Sequence, residues 1–548
     1  MKQVTTRRSE TGNAPKPTRR TLLLFLAALA GPSLIAQTAP QPQPVPILDY
    51  ISRTWGVLTR SNRGLASAAP DPKFPQQHAP WPVYISRSEN LQRVEMQLRQ
   101  EMQPGDFAKI QVRLLPESVT QLSEQGLLYL PRPYVVPGGR FNEMYGWDSY
   151  FTQVGLLRDD DLSMSKDMAD NFLYEIRAYD KILNANRTYY LTRSQPPFLT
   201  QMLLAVYQRT HERKWLEDAV PALEKYYRYW MSEPHLTPQT GLSRYFDLGD
   251  GPAPEALSAE RDAQGRTHYD LAKQYFRTHK ITDYDAAQYY DAKTDQLTPL
   301  FYKADRSMRE SGFDPSNRFG PFSADIIHYN PVCLNSLLYL METQTGEIMH
   351  ILGREAEAAT WRKRAQDRAE RVNRLMWDAQ DGLYYDYDFV SGRVRKYPFL
   401  TTFYPLWARI ASREQAARVV GNLSKFEQPG GLQTSTYPSG GQWDAPFGWG
   451  PLVFIADQAL RRYGYRADAD RTAMKFLSLV LQEFQKNGTI VEKYDVVRRA
   501  TDLGANIRFG YHSNEVGFGW TNAAFTALYD ELPPGEKQKL LKASAGRK

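Results

Sequence analysis

From about residue 150 onward, apolar residues recur every three or four positions, and that spacing restricts the chain to few folds. Trp215, Ala219, Leu223, Tyr226 and Trp230 form one such stripe. Leu334, Leu337, Leu338 and Met341 form a second, and Ala358, Trp361, Ala365, Val372 and Met376 a third. Phe476, Leu477, Val480, Leu481 and Phe484 form a fourth. No stretch shows sustained alternation with β-branched residues. Two similar strings, TGLSRYFD at 240–247 and DGLYYD at 381–386, each follow a stripe. They read as turns at equivalent places in a repeating helical hairpin. The periodicity alone predicts a mostly α-helical protein. Repeated hairpins with long loops at one end suggest an all-α (α/α)6 toroid. The 548 residues exceed a typical domain but suit a single toroid of this kind.

The span from Gly249 to Asn330 breaks the rhythm and is polar and Tyr-rich. A loop this long inside a compact domain is usually functional, so it is expected to cover one face of the toroid. At the other end of the chain, residues 1–36 carry an Arg19-Arg20 pair before an apolar run from Leu22 to Ala30. They read as an export signal, by the twin-arginine or the general secretory route. Residues 37–50 read as a Pro-rich linker, leaving 51–548 as one domain including the 249–330 insert. A periplasmic location is expected, with secretion as the alternative. No membrane association is expected once the signal is removed.

Six basic residues against Glu10 in that segment supply five of the chain's seven net positive charges. The remainder is near neutral, which removes the electrostatic case for nucleic-acid binding. The single cysteine, Cys333, lies in an apolar run and reads as a buried, inert thiol. The eight histidines form no spaced metal-binding cluster, and Gly138-Gly139 lacks the strand context of a nucleotide loop. No cofactor or metal is expected, and the working form is expected to be a monomer.

Three strings concentrate candidate chemistry. PGGRFNEMYGWDSY at 137–150 sets Arg140, Trp147 and Asp148 beside paired glycines. Arginine can fork onto hydroxyls or a carboxylate, and tryptophan offers a flat face to a sugar ring. ESGFD at 310–314 places Asp314 after a Gly-aromatic pair and before Pro315, ahead of a helix. It reads either as a turn or cap residue or as an acid whose pKa an aromatic wall raises. VEKYDV at 491–496 places Glu492 beside Lys493. That is either an exposed ion pair or a base held ionised by its neighbour.

The first string resembles the first signature of the trehalases, and QWDAPFGWGP at 442–451 resembles their second. RSQPP at 193–197, ESGFD and VEKYDV are similar to further trehalase segments, in the family's order. The resemblance implies the same (α/α)6 fold and the hydrolysis of α,α-trehalose to two glucoses by an inverting, two-carboxylate mechanism. It implies Asp314 as general acid and Glu492 as the base that activates water. The sugar-contact set it implies is Arg140, Trp147, Asp148, Asn184, Arg193, Ser194, Gln195, Glu255, Gly312, Trp443, Asp444, Glu515 and Trp520. Three departures touch the cage. Ala253-Pro-Glu255 stands for the family's Arg-Pro-Glu, with Arg261 or Arg266 as replacements for the lost arginine. The glycine-rich lid is replaced by residues 504–515, with Glu515 as stand-in for its glutamate. Cys333 stands for an aspartate. They leave open a different α-linked glucoside, such as kojibiose, or a non-catalytic sugar-binding protein.

Overall fold

Among the residues described in the computed structural model (47–258, 261, 264–503, 507–510 and 513–545), six helical segments pack side by side in a closed ring. They are Gly146–Arg158, Leu199–Thr210, Val332–Ile351, Tyr404–Trp407 with its 3-10 lead-in Leu400–Phe403, Gly450–Arg462 and Gly519–Glu531. The last returns to the first. Outer helices follow the first five: Leu162–Tyr179, Arg213–Trp230, Glu355–Met376, Arg413–Gly421 and Arg466–Asn487. This is the expected all-α toroid. Val45–Lys548 form one compact unit.

The two rings differ in composition because they differ in burial. Every residue from Gly519 to Leu528 is buried. A helix enclosed on all sides shows no polar face, so its sequence carries little periodicity. Glu355–Met376 buries Ala358, Trp361, Ala365, Arg368, Val372 and Met376, one stripe of an otherwise solvated helix. Three of the four stripes read in the sequence are outer helices.

The two similar strings are β-hairpins rather than plain turns. Leu236–Thr237 pairs with Leu242–Ser243, and Trp377–Asp378 with Leu383–Tyr384. Each follows an outer helix, as the repeat predicts. A small parallel sheet was not legible: Trp81–Ile85 lies between Ile110–Leu114 and Leu127–Leu128, with helix Leu91–Glu101 as crossover. It has its own apolar cluster, including Val83, Ile85, Val94 and Leu98. Short parallel strands read as apolar runs without alternation.

The 249–330 span is built from helices Pro254–Ser258, His268–Thr278 and Pro299–Glu310 and a hairpin of Tyr290–Asp291 with Gln296–Leu297. The linker expectation needs correction at its end. Helix Ile47–Leu58 begins inside it, with Ile47, Ile51, Trp55 and Leu58 buried. The signal at 1–36 and the linker up to residue 46 lie outside the described residues, as do 504–506 and 511–512 of the altered lid. Among the described residues, no helix is long and apolar enough to cross a membrane.

Candidate active site

Three of the sequence motifs, and the string Gly517-Phe-Gly-Trp520, lead into the N-terminal end of an inner helix. The first signature opens Gly146–Arg158, RSQPP precedes Leu199–Thr210, the second signature opens Gly450–Arg462 and GFGW opens Gly519–Glu531. A ring of parallel inner helices therefore gathers these motifs at one end. They line one cavity of about 360 Å³. Arg140, Trp147, Asp148, Asn184, Arg193, Gln195, Glu255, Gly312, Asp314, Trp443, Glu492 and Trp520 all line it. The insert contributes Glu255, Ala256, Arg266, His268 and Leu271 as well as Arg309, Gly312, Asp314 and Pro315, so it forms part of the cavity wall.

Asp314 sits four residues past the end of helix Pro299–Glu310, and the next helix of more than one turn begins only at Val332. It therefore follows a helix rather than preceding one, and it caps none. Its carboxyl opens into the cavity, 31 % exposed. Everywhere else it meets protein. Its neighbour Phe313 packs with Trp147 and Trp443, which also line the cavity, the three rings edge-on or tilted to one another at 5.1–5.6 Å. Burial raises its pKa to about 6, while Arg309 and Arg193 pull the other way. Arg309 Nη1 stands 3.8 Å from Asp314 Oδ2. Gln442 Nε2 donates to the Asp314 carbonyl, tying the second signature to the ESG loop.

Glu492 is held differently. It is 1 % exposed and lies at the start of the strand Lys493–Asp495, which pairs with Phe447–Trp449. Lys493 Nζ donates to Glu492 Oε2 at 2.7 Å, and the lysine is 0 % exposed. The sequence left open an exposed pair; the structure shows a buried one. Glu492 N donates to the Glu515 carbonyl at 2.9 Å, and Trp520 Nε1 donates to the Glu492 carbonyl at 3.2 Å. Asp148 lines the same cavity. Burial pushes it well above the ordinary carboxylate range, and the charges of Glu492 and Asp314 add to the push. A protonated Asp148 can donate to a sugar oxygen.

The polar cage is already hydrogen-bonded. Gln195 Oε1 accepts from Trp147 N at 2.9 Å, and Arg193 Nε donates to Asn184 Oδ1 at 2.9 Å. Arg193 also pairs with Glu255, whose pKa burial would raise but Arg193 and Arg309 lower. Gly312 has φ +76°, and a Cβ there would meet the Trp147 ring at 2.9 Å. Only glycine lets the ESG turn lie against that indole.

Three expected contacts are not among the lining residues. Ser194 lies behind the wall, its N–H donating to Glu310 Oε1 at 2.9 Å. Asp444 is 0 % exposed and accepts from Asn317 N and Tyr397 Oη, both at 2.8 Å. Glu515 pairs with Arg140 Nε at 2.8 Å and so closes the first signature onto the altered lid. The side chains of Asp444 and Glu515 are spent on positioning loops, and the Ser194 hydroxyl lies 2.9 Å from Tyr226 Oη. Glu310 is a further positioning group, joining Ser194 N, Tyr229 Oη and Phe246 N. Arg309 was missed. It stands one residue before the ESG motif and lines the cavity, as does Arg266 from the insert. Arg261 is not among the lining residues. Cys333 is buried against Arg318, and burial pushes its thiol up, as an inert thiol requires.

An all-α toroid whose inner-helix loops enclose carboxyl groups in an aromatic cavity defines the class of a glycoside hydrolase. Residues 61–533 match the trehalase family model. The chain is 34 % identical to a cytosolic neutral trehalase of Emericella nidulans, over 89 % of this chain and 72 % of the relative. It is 37 % identical to a cytosolic neutral trehalase of Saccharomyces cerevisiae, over 72 % of this chain and 58 % of the relative. The solved structure of neutral trehalase Nth1 from Saccharomyces cerevisiae superposes with a TM-score of 0.75 at 32 % identity, covering 91 % of this chain and 96 % of that one. The chain belongs to the trehalase family and is a hydrolase.

The same relatives overturn the periplasmic expectation. They are named cytosolic enzymes, which points to the cytoplasm instead. A basic stretch followed by nine apolar residues is a compositional cue, outweighed by relatives covering most of the chain.

Proposed function

We propose that this chain hydrolyses α,α-trehalose to two glucoses by single displacement with inversion, with Asp314 as acid and Glu492 as base. Family membership carries the first part, the hydrolysis of trehalose to glucose. The second rests on one observation: two carboxylates lining the same cavity are held in opposite ways. Burial raises Asp314 to about 6, so it keeps its proton up to about pH 6, well above an ordinary aspartate. Glu492 is clamped to a buried ammonium at 2.7 Å. Inversion needs that division of labour, with Asp314 protonating the glycosidic oxygen as Glu492 takes a proton from water. Asp148, Gln195 and Arg193 hold the hydroxyls. The cavity is at the small end of ligand sites, the size for a disaccharide rather than a polymer.

Proton NMR of trehalose mixed with the protein tests this within minutes. Equal initial amounts of α- and β-glucose are expected. α-Glucose alone would overturn inversion. No glucose from trehalose, with release from another α-linked glucobiose, would move the substrate to that sugar.

A further inference from the structure

We propose that Asp305 is a positioning residue that grips Arg309 and withholds it from Asp314, so that no cation closes onto the acid. This rests on the reading of Asp314 as the acid. Asp305 and Arg309 lie one helical turn apart on Pro299–Glu310, on the same face. Arg309 Nε donates to Asp305 Oδ2 at 3.0 Å and Nη2 to Oδ1 at 3.2 Å. The remaining nitrogen, Nη1, points at Asp314 but stops at 3.8 Å, beyond hydrogen-bond length. Two carboxylates thus compete for one guanidinium, and Asp305 holds the fork.

Asp305 has the support to win. It is 2 % exposed. His268 Nε2 lies 3.0 Å from its Oδ1, and Tyr269 Oη donates to its Oδ2 at 3.0 Å. Both come from the insert, whose His268 also lines the cavity. Helix His268–Thr278 therefore reaches Asp314, in the same insert, through Asp305 and Arg309. The outcome matters because a bidentate arginine–carboxylate pair strongly favours the ionised acid. A guanidinium kept just out of contact leaves the acid its proton, yet stays near enough to stabilise the carboxylate left after transfer. The other charged groups facing Asp314 are Arg193 from the RSQPP loop and Asp148 from the first inner helix. Glu492 and His268 share the cavity with it.

The test is the alkaline limb of kcat/KM, where the acid deprotonates. Asp305→Asn is isosteric but weakens the fork. The limb is expected to move down by about one pH unit or more, as Arg309 closes onto Asp314. Arg309→Met should move it up, and Asp305→Asn/Arg309→Met should follow Arg309→Met. Loss of activity with an unmoved limb in Asp305→Asn would mean a merely structural role and overturn the proposal. If Asp305→Asn fails to fold, Arg309→Met decides, since an unmoved limb there would put Arg309 out of electrostatic reach. The pH midpoint for binding the cationic iminosugar 1-deoxynojirimycin, read by calorimetry, should shift in the same directions without turnover. A chain that releases no glucose from trehalose would strike the substrate reading alone, and this binding midpoint would still decide the role of Asp305.

Discussion

The wall that carries Asp314 and the wall that carries Glu492 face the same cavity and use the same functional group. They differ in where the cation stands. Beside Glu492, Lys493 is in contact at 2.7 Å, and both are sealed from water. Beside Asp314, Arg309 stops at 3.8 Å, occupied by Asp305. Direct contact with a cation favours a carboxylate, while burial without contact favours a carboxylic acid. About an ångström in the distance to the nearest cation therefore separates the settings of the two carboxyls for which the acid and base roles are proposed.

The sharpest way to break the comparison is to remove each carboxyl in turn. Asp314→Asn and Glu492→Gln keep shape and lose the proton chemistry. General acid–base groups contribute about 10²–10⁴-fold, so each variant should lose at least that in kcat, with thermal unfolding little changed. Initial-rate glucose assays check it, and near-normal turnover in either variant would remove that residue from its role.

A smaller effect is expected from the cation on the base wall. Lys493→Met would leave Glu492 buried without its ammonium. Losing one partner of a buried pair costs about 3–5 kcal/mol. A marked fall in the unfolding midpoint is expected together with reduced kcat. Asp305→Asn on the opposite wall should instead move the pH limb more than the midpoint. Equal behaviour of the two variants would mean that the walls are not built differently.

How much of this was legible follows the same division. Outer helices announced themselves through single stripes such as Ala358 to Met376, because a half-solvated helix must alternate. Inner helices such as Gly450–Arg462 are buried nearly all round, so only the motifs at their N-termini marked them. Those motifs located a large share of the cavity-lining residues. Ser194, Asp444 and Glu515, which the motifs also marked, do not line the cavity and instead make contacts that hold loops. Arg309 was missed for the converse reason: it adjoins a motif, and its reach depends on a side-chain fork that no spacing reveals. The Glu492–Lys493 pair was visible, but its burial was not, since that depends on packing by Trp449 and Trp520 from distant segments.

The mildest perturbation tests whether the aromatic backing of the acid wall matters in its own right. Gly312→Ala adds one methyl group at φ +76°, against the Trp147 ring at 2.9 Å. A left-handed conformation costs a non-glycine residue about 1–2 kcal/mol, and the indole must also give way. Trp147 is fixed by Trp443, Phe313 and Trp520 and cannot swing far, so the ESG turn should move instead. That shifts Asp314 within the cavity while leaving its charged neighbours in place. The expected result is a several-fold loss in kcat with a smaller change in KM, and an alkaline limb close to that of the unmodified protein. A limb displaced as far as in Asp305→Asn would show that the aromatic wall, rather than the withheld guanidinium, sets the state of the acid.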